Sequence, residues 1–370
     1  MAKLAFALFA SLALTGCASI KRPLETPEQV TLSATDSQGG IRFLADAPPV
    51  IVVRPGPADY NVLALSGGGP DGAYGVGLLQ GWSRSGRRPV FDVVTGVSTG
   101  ALIAPFAFLG SSQDEALAAL YTGDQIKTIL SHGSALALRG RPHMFSSAPL
   151  HKLITAQITP DLLAAIAREY RSGRSLFIAT ANFDAQRLTI WDMGKIADRG
   201  TPEAQAQFVT ILLAATSVPL ALEPVKIGAA PGITNQFETH VDANVLTHFY
   251  ASEALFPIEA CQTRRRQCHL YTILHNKTLA NPEIVRWSAP AFAKRSVETI
   301  MKANLAAHLQ ESWRMAQASG VHYHLAYLDV PFAAVSPIDF DLAYMRRIYA
   351  LGLEKGGQPE TWRDTPPKNP

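Results

Sequence analysis

The stretch YNVLALSGGGPDGAYGVGLLQGWSRSGRRPVFDVVTGVSTG, residues 60–100, decides how this chain folds. It opens on Tyr60–Leu65, a short apolar run that ends abruptly in Ser66-Gly67-Gly68-Gly69-Pro70-Asp71-Gly72. Residues 74–84 then carry a helical pattern, and residues 90–94 a second β-type run. A strand, a helix and a strand in so short a span form a βαβ unit. Parallel strands bring their carboxyl ends side by side, so the glycine loop after the first and the turn after the second face one substrate.

That turn is Gly96-Val97-Ser98-Thr99-Gly100, a G-x-S-x-G motif after the strand at 91–94 and before an apolar helix starting near Ala101. At a strand-to-helix elbow the serine is held in a strained conformation, and the flanking glycines Gly96 and Gly100 let neighbouring backbones pass. Ser98 is therefore the candidate nucleophile, sitting where a helix N-terminus favours a developing anion. Gly67, Gly68 and Gly69 form the candidate oxyanion hole, with the N–H groups of Gly68 and Gly69 aimed at the carbonyl oxygen. Gly67, Gly69 and Gly72 also satisfy the dinucleotide pattern G-x-G-x-x-G. Ribose recognition, however, needs an acid at the carboxyl end of the second strand, and Asp92 stands at its start.

Outward from this unit, further strands are expected at 175–181, 188–192, 240–242, 269–274 and 322–328, with helices among them, which makes the chain α/β. The pattern Ala289–Ala318 carries Phe292, Val297, Ile300, Met301, Leu305 and Leu309 at helical spacing and is expected to be a core-facing helix. Residues 17–59 are polar and proline-rich towards their end and suit a tether; residues 356–370 have too few apolar side chains to repay ordering and suit a disordered tail.

At the N-terminus, Lys3 precedes the apolar residues 4–14, too short a run to span a bilayer, and Leu14-Thr15-Gly16-Cys17 follows. Residues 1–16 therefore read as a signal peptide ending in a sequence that resembles the lipobox of bacterial lipoproteins, in which the thiol of Cys17 carries diacylglycerol. Ala18 lacks the aspartate that retains such proteins at the inner membrane, so the expected location is the periplasmic face of the outer membrane. In that oxidising compartment Cys261 and Cys268 are expected to pair, and two cysteines with His269 are too few for zinc. With 47% hydrophobic residues the chain buries a sizeable core. Its formal charge of +3 is too small and dispersed for a nucleic-acid binder, and Arg264-Arg265-Arg266 is read as a solvated loop.

Taken together, loop and elbow resemble the patatin-like phospholipases, whose third motif is a distant Asp-Gly-Gly or Asp-Gly-Ala. Here that motif is represented by Asp242-Ala243-Asn244, preceded by the small-residue segment Thr216-Ser217-Val218-Pro219. The resemblance covers residues 61–246 of a hydrolase domain expected at 60–355, with 176–180 and Trp191-Asp192 adding to it. It implies a three-layer α/β fold, a mostly parallel central sheet flanked by helices, and a Ser98–Asp242 dyad in which Asp242 is the base. Lipid or another acyl ester is the implied substrate, and no metal or organic cofactor is required. Two residues depart from the pattern: Ala243 replaces glycine, and Asp71 stands where many members carry a basic residue.

Two rivals follow from the same residues. A Ser-His-Asp hydrolase would nominate His322 or His324, although their alternation within a strand suits half-buried sheet positions better. A catalytically silent lipoprotein that binds acyl chains or a partner protein at the membrane would explain the departures at Ala243 and Asp71, though not the retention of loop, serine and acid together.

Overall fold

The computed structural model describes residues 26–35, 38–48, 59–128, 143–228, 237–275, 277–278, 282–328 and 339–367. Residues 1–16, read as a signal peptide, and Cys17 lie outside the described residues.

The centre is one nine-stranded sheet: β1 (Arg42–Leu44), β2 (Tyr60–Leu65), β3 (Val93–Gly96), β4 (Ser175–Asn182), β5 (Arg187–Asp192), β6 (Val225–Gly228), β7 (Phe237–Asp242), β8 (Cys268–Leu274) and β9 (Val321–Tyr327). The spatial run β4-β3-β2-β8-β9 is parallel throughout, and β5 and β1 add antiparallel strands at one edge. Every residue of β2 is buried, as expected for a strand covered on both faces. Leu63 and Leu65 pack with α1 (Gly72–Arg84) and α2 (Thr99–Leu109), whereas Val62 and Ala64 belong to the opposite apolar layer with Leu270, Leu305 and Leu309. The result is the three-layer α/β arrangement, with parallel strands at its heart.

The βαβ unit forms as read, although β3 starts at Val93 because Asp92 is used otherwise: its carboxylate accepts from Asn61 N–H at the amino end of the sheet. Three other expectations are corrected. The tether at 17–59 is not polar coil throughout, since Pro27–Thr35 is helical and β1 pairs with β5. Arg42, in β1, is buried against Glu238 of β7, so this segment is part of the body. The tail at 356–370 is packed as far as residue 367: the Trp362 ring lies tilted against Trp82 with centroids 4.5 Å apart, and Arg363 exchanges backbone hydrogen bonds with Leu325. One aromatic ring with a buried partner outweighs the polar composition around it.

The third correction concerns α3 (Ala289–Ala318), which has the expected limits but faces the core along its second half only. Leu305, Leu309, Ser312 and Ala316 are buried; Phe292, Val297 and Ile300 are exposed. Periodicity shows that a helix has an apolar face and says nothing of what covers it.

Candidate active site

Ser98 closes the turn between β3 and α2 with φ 54° and ψ −124°, a left-handed conformation that a residue with a Cβ avoids unless its surroundings impose it. They do so here through contact. A Cβ on Gly100 would stand 2.5 Å from the carbonyl oxygen of Leu65, and one on Gly96 2.5 Å from that of Gly100. The elbow is pressed against the end of β2 with no room for side chains, and Val97 N–H donates to Leu65 O at 3.1 Å.

Strand pairing explains how an acid 144 positions later reaches this serine. Along one edge, β4 pairs with β5 from Phe177 to Asn182. Along the other it pairs with β3 only as far as Ile178, opposite Gly96, where the chain leaves the sheet at the elbow. β7 takes over that vacated edge, with Asp242 opposite Thr180. The carboxylate is thus set down just beyond the end of β3, beside Ser98.

Asp242 is fully buried, and burial raises its pKa from 3.8 to about 6 against the opposing pull of the Ser98 hydroxyl and the Asn244 N–H. Its Oδ1 accepts from Asn244 N–H at 2.8 Å. Its Oδ2 is buried without a hydrogen-bond partner, the Ser98 hydroxyl lying near enough to favour the anion but outside hydrogen-bond geometry. Catalytic hydrogen bonds commonly tighten when substrate is bound. Ala243 causes no disturbance: it is buried in an ordinary 3-10 turn with no positive φ, so the position makes no demand for glycine.

In the glycine loop the three N–H groups have different fates. Gly67 N–H donates to His248 O at 2.9 Å, which removes it from the candidate oxyanion donors and makes it a positional anchor. No acceptor among the described residues takes up the N–H of Gly68 or Gly69, and Gly69 adopts φ +56°. Gly67 also supplies space: a Cβ there would meet Asn244 Oδ1 at 2.9 Å and Ser98 Cβ at 3.1 Å. Gly72 opens α1. Sequence reading missed the residues that hold this loop. The Nδ1–H of His275 donates to Ser66 O at 2.6 Å, and the Ser66 hydroxyl accepts from His275 N–H and donates to Gly67 O. Burial lowers the His275 pKa to about 4, so the ring is neutral. Only its place just past β8 hints at this duty. Asp71 accepts from the Tyr344 hydroxyl at 2.6 Å, and burial raises its pKa to about 6.

Beside Ser98 lies a cavity of about 60 Å³. Gly69, Ser98 and Thr99 form its polar end, and Leu102, Leu120, Ile126, Leu150, Leu222 and Phe340 are among its walls. Its lining is mostly apolar, with the serine at one side.

Other nominated residues lie elsewhere. His269 stands opposite Asn61 at the amino end of the sheet, and His322 and His324 flank it on β9; His324 Nε2 lies 3.0 Å from His269 Nδ1. Neither His322 nor His324 shares an end of the sheet with Ser98. Asp92 is at that amino end too. Cys261 and Cys268 are joined by a disulfide with Cα atoms 5.5 Å apart. Among the described residues, no three His, Cys, Asp or Glu side chains are grouped to hold a metal ion.

Comparison with known proteins yields three findings. A family model described as patatin-like phospholipase matches residues 63–255, just over half of the chain. The cUMP-AMP-activated phospholipase of Escherichia coli is 42% identical over 80 residues, which span 21% of this chain and 24% of that protein. The crystal structure of VipD from Legionella pneumophila aligns over 81% of this chain and 66% of its own, at 11% identity and a TM-score of 0.41.

Proposed function

The chain belongs to the patatin-like phospholipase family, whose members are in general lipid acyl hydrolases, and from that premise we propose that it hydrolyses acyl esters with Ser98 as nucleophile and Asp242 as base. The observation that carries this reading is the buried, unpartnered Oδ2 of Asp242 beside a serine held at φ 54°. A buried carboxylate without a partner is costly, and a proton acceptor beside a hydroxyl is the use that explains its retention.

The acyl chain enters the cavity and sets the ester carbonyl against the elbow. Asp242 takes the Ser98 proton as the oxygen attacks, and the carbonyl oxygen turns negative beside the N–H groups of Gly68 and Gly69 and the N-terminus of α2. Asp242 then returns the proton to the leaving alcohol. Water attacks the acyl-enzyme by the same route in reverse, with Asp242 again the base. Phospholipids and lysophospholipids are the substrates that the family and the apolar cavity favour.

The same reading has the chain exported and held at the periplasmic face of the outer membrane through acylated Cys17. Among the described residues no helix is long and apolar enough to cross a membrane, so the lipid is the proposed anchor. Cys17→Ala is expected to move the protein from the membrane pellet to the soluble fraction after a high-salt wash; a variant that still pellets would refute the anchor. Turnover of a chromogenic short-chain ester, with fluorophosphonate labelling of Ser98, tests the hydrolase. A silent lipid-binding protein would show neither.

A further inference from the structure

The first three turns of α3 stand clear of the body, and their apolar side is turned the wrong way for a core. At about 100° per residue, Phe292, Ile300 and Val297 fall within an arc of roughly 140°, on the opposite side of the helix from Leu305, Leu309 and Ala316, which pack on the sheet. The helix therefore has two apolar faces, one per half, pointing in opposite directions. Just before it, Ile284 is 98% exposed and Trp287 94% exposed, the latter ring 5.3 Å from Phe292. A soluble surface has no use for so many large apolar groups in one place.

The charge around them is one-sided. From residue 277 to 302 the chain carries five basic side chains, Lys277, Arg286, Lys294, Arg295 and Lys302, against two acidic ones, Glu283 and Glu298. That surplus equals the +3 of the whole chain. On the helix, Lys294, Arg295 and Lys302 lie on the side away from the apolar arc, where Lys294 and Arg295 pair with Glu298 and Arg295 also with Glu283. The root of the projection touches the site: Met301 O accepts from His248 Nε2–H at 2.8 Å, His248 O holds Gly67 N–H at 2.9 Å, and Lys302 Nζ donates to Lys277 O.

We propose that residues 284–300 are an interfacial docking element that seats the protein on an anionic phospholipid bilayer, with Ile284, Trp287, Phe292, Val297 and Ile300 in the acyl boundary and the nearby cations on the headgroups. The inference rests on the lipid-hydrolase reading above, since docking here brings the glycine loop to the surface that holds the substrate. An acyl anchor fixes a protein to a bilayer at one point; this element sets the orientation of the body.

The test follows tryptophan emission of the full-length protein on vesicles of phosphatidylglycerol and phosphatidylcholine with brominated acyl chains. Quenching is expected in the wild type and in Ser98→Ala, and is expected to be lost in Trp287→Phe. The triple variant Phe292→Ser, Val297→Ser, Ile300→Ser keeps Trp287 and is expected to lose quenching as well. In that variant KM for vesicle phospholipid should rise about tenfold or more, with turnover of a dissolved short-chain ester unchanged. Equal quenching in wild type and Trp287→Phe overturns the proposal, as does a self-association by sedimentation that the triple variant abolishes while Trp287 stays unquenched. Quenching as strong on vesicles of phosphatidylcholine alone overturns its electrostatic half. A wild type that is quenched yet inactive on the dissolved ester would remove the hydrolase reading and leave the docking surface standing.

Discussion

Glu238 and Asp242 lie four residues apart on β7, on one face of the strand and almost wholly buried, yet their surroundings differ in kind. Glu238 is held by both terminal guanidinium nitrogens of Arg42, Nη2 at 3.1 Å, and by His240 Nε2 at 2.9 Å. His240 is in turn fixed through Nδ1 to the Thr180 hydroxyl, which also accepts from Trp191 Nε1–H. Asp242 has one backbone donor and an empty second oxygen. The fold can therefore satisfy a buried acid on this strand, and four residues later it does not. A buried carboxylate that is fully hydrogen-bonded fixes structure, and one left open beside a hydroxyl is available for a proton.

The sharpest way to break this contrast is at the nucleophile. Ser98→Ala should abolish ester hydrolysis, by roughly 10⁴-fold or more, while circular dichroism and melting temperature stay near wild type, because a single hydroxyl leaves little cavity. Turnover close to wild type would remove Ser98 from the mechanism. At the other end of β7, Glu238→Gln should destabilise the fold by about 3 kcal/mol or more, read from denaturant unfolding, because it takes the carboxylate away from a buried guanidinium. A variant as stable as wild type would show that this network is not structural.

Much of the first contrast was legible in sequence. Loop, elbow and acid are each local signals, since a βαβ unit is written within residues 60–100 and Asp242 follows a short apolar run. What stayed hidden was set by partners far along the chain. Arg42 reads as a polar tether residue until Glu238 is placed beside it, and Gly67 reads as an oxyanion donor until the carbonyl of His248 takes its N–H. Trp362 sits in a proline-rich tail whose composition gives no sign that Trp82 and Tyr271 wait for it. The outward face of α3 escaped for the same reason, because the spacing of apolar residues is identical whether a sheet or a bilayer covers them.

A milder probe of the contrast is pH. The base must be ionised to act, and the Asp242 pKa is raised to about 6 by burial, so kcat/KM on a dissolved ester should fall about tenfold per pH unit below 6 and level off above 7. Asp71, the other carboxyl raised to about 6 near the loop, is held by Tyr344, and Asp71→Asn should leave that limb in place. A limb that vanishes in this variant would transfer the titration to Asp71. Smallest of all should be the effect of His322→Ala and His324→Ala, within about threefold of wild type on the same ester, since His322 lies near the amino end of β9 and His324 at its middle, away from the carboxyl ends where Ser98 sits. A dead histidine variant that still folds would restore the triad.

The most direct measurement takes activity and stability together on Asp242→Asn at pH 7.5. A folded pKa above the unfolded value means that the folded state binds the proton more tightly. Ionised Asp242 therefore costs stability as pH rises from 3.8 through about 6, on the order of 2–3 kcal/mol once fully charged. The amide removes that charge and with it the proton acceptor. The account predicts that turnover falls by roughly 10³-fold or more while the melting temperature holds or rises. An active Asp242→Asn, or one whose activity is lost only together with several degrees of stability, would contradict the Ser98–Asp242 dyad.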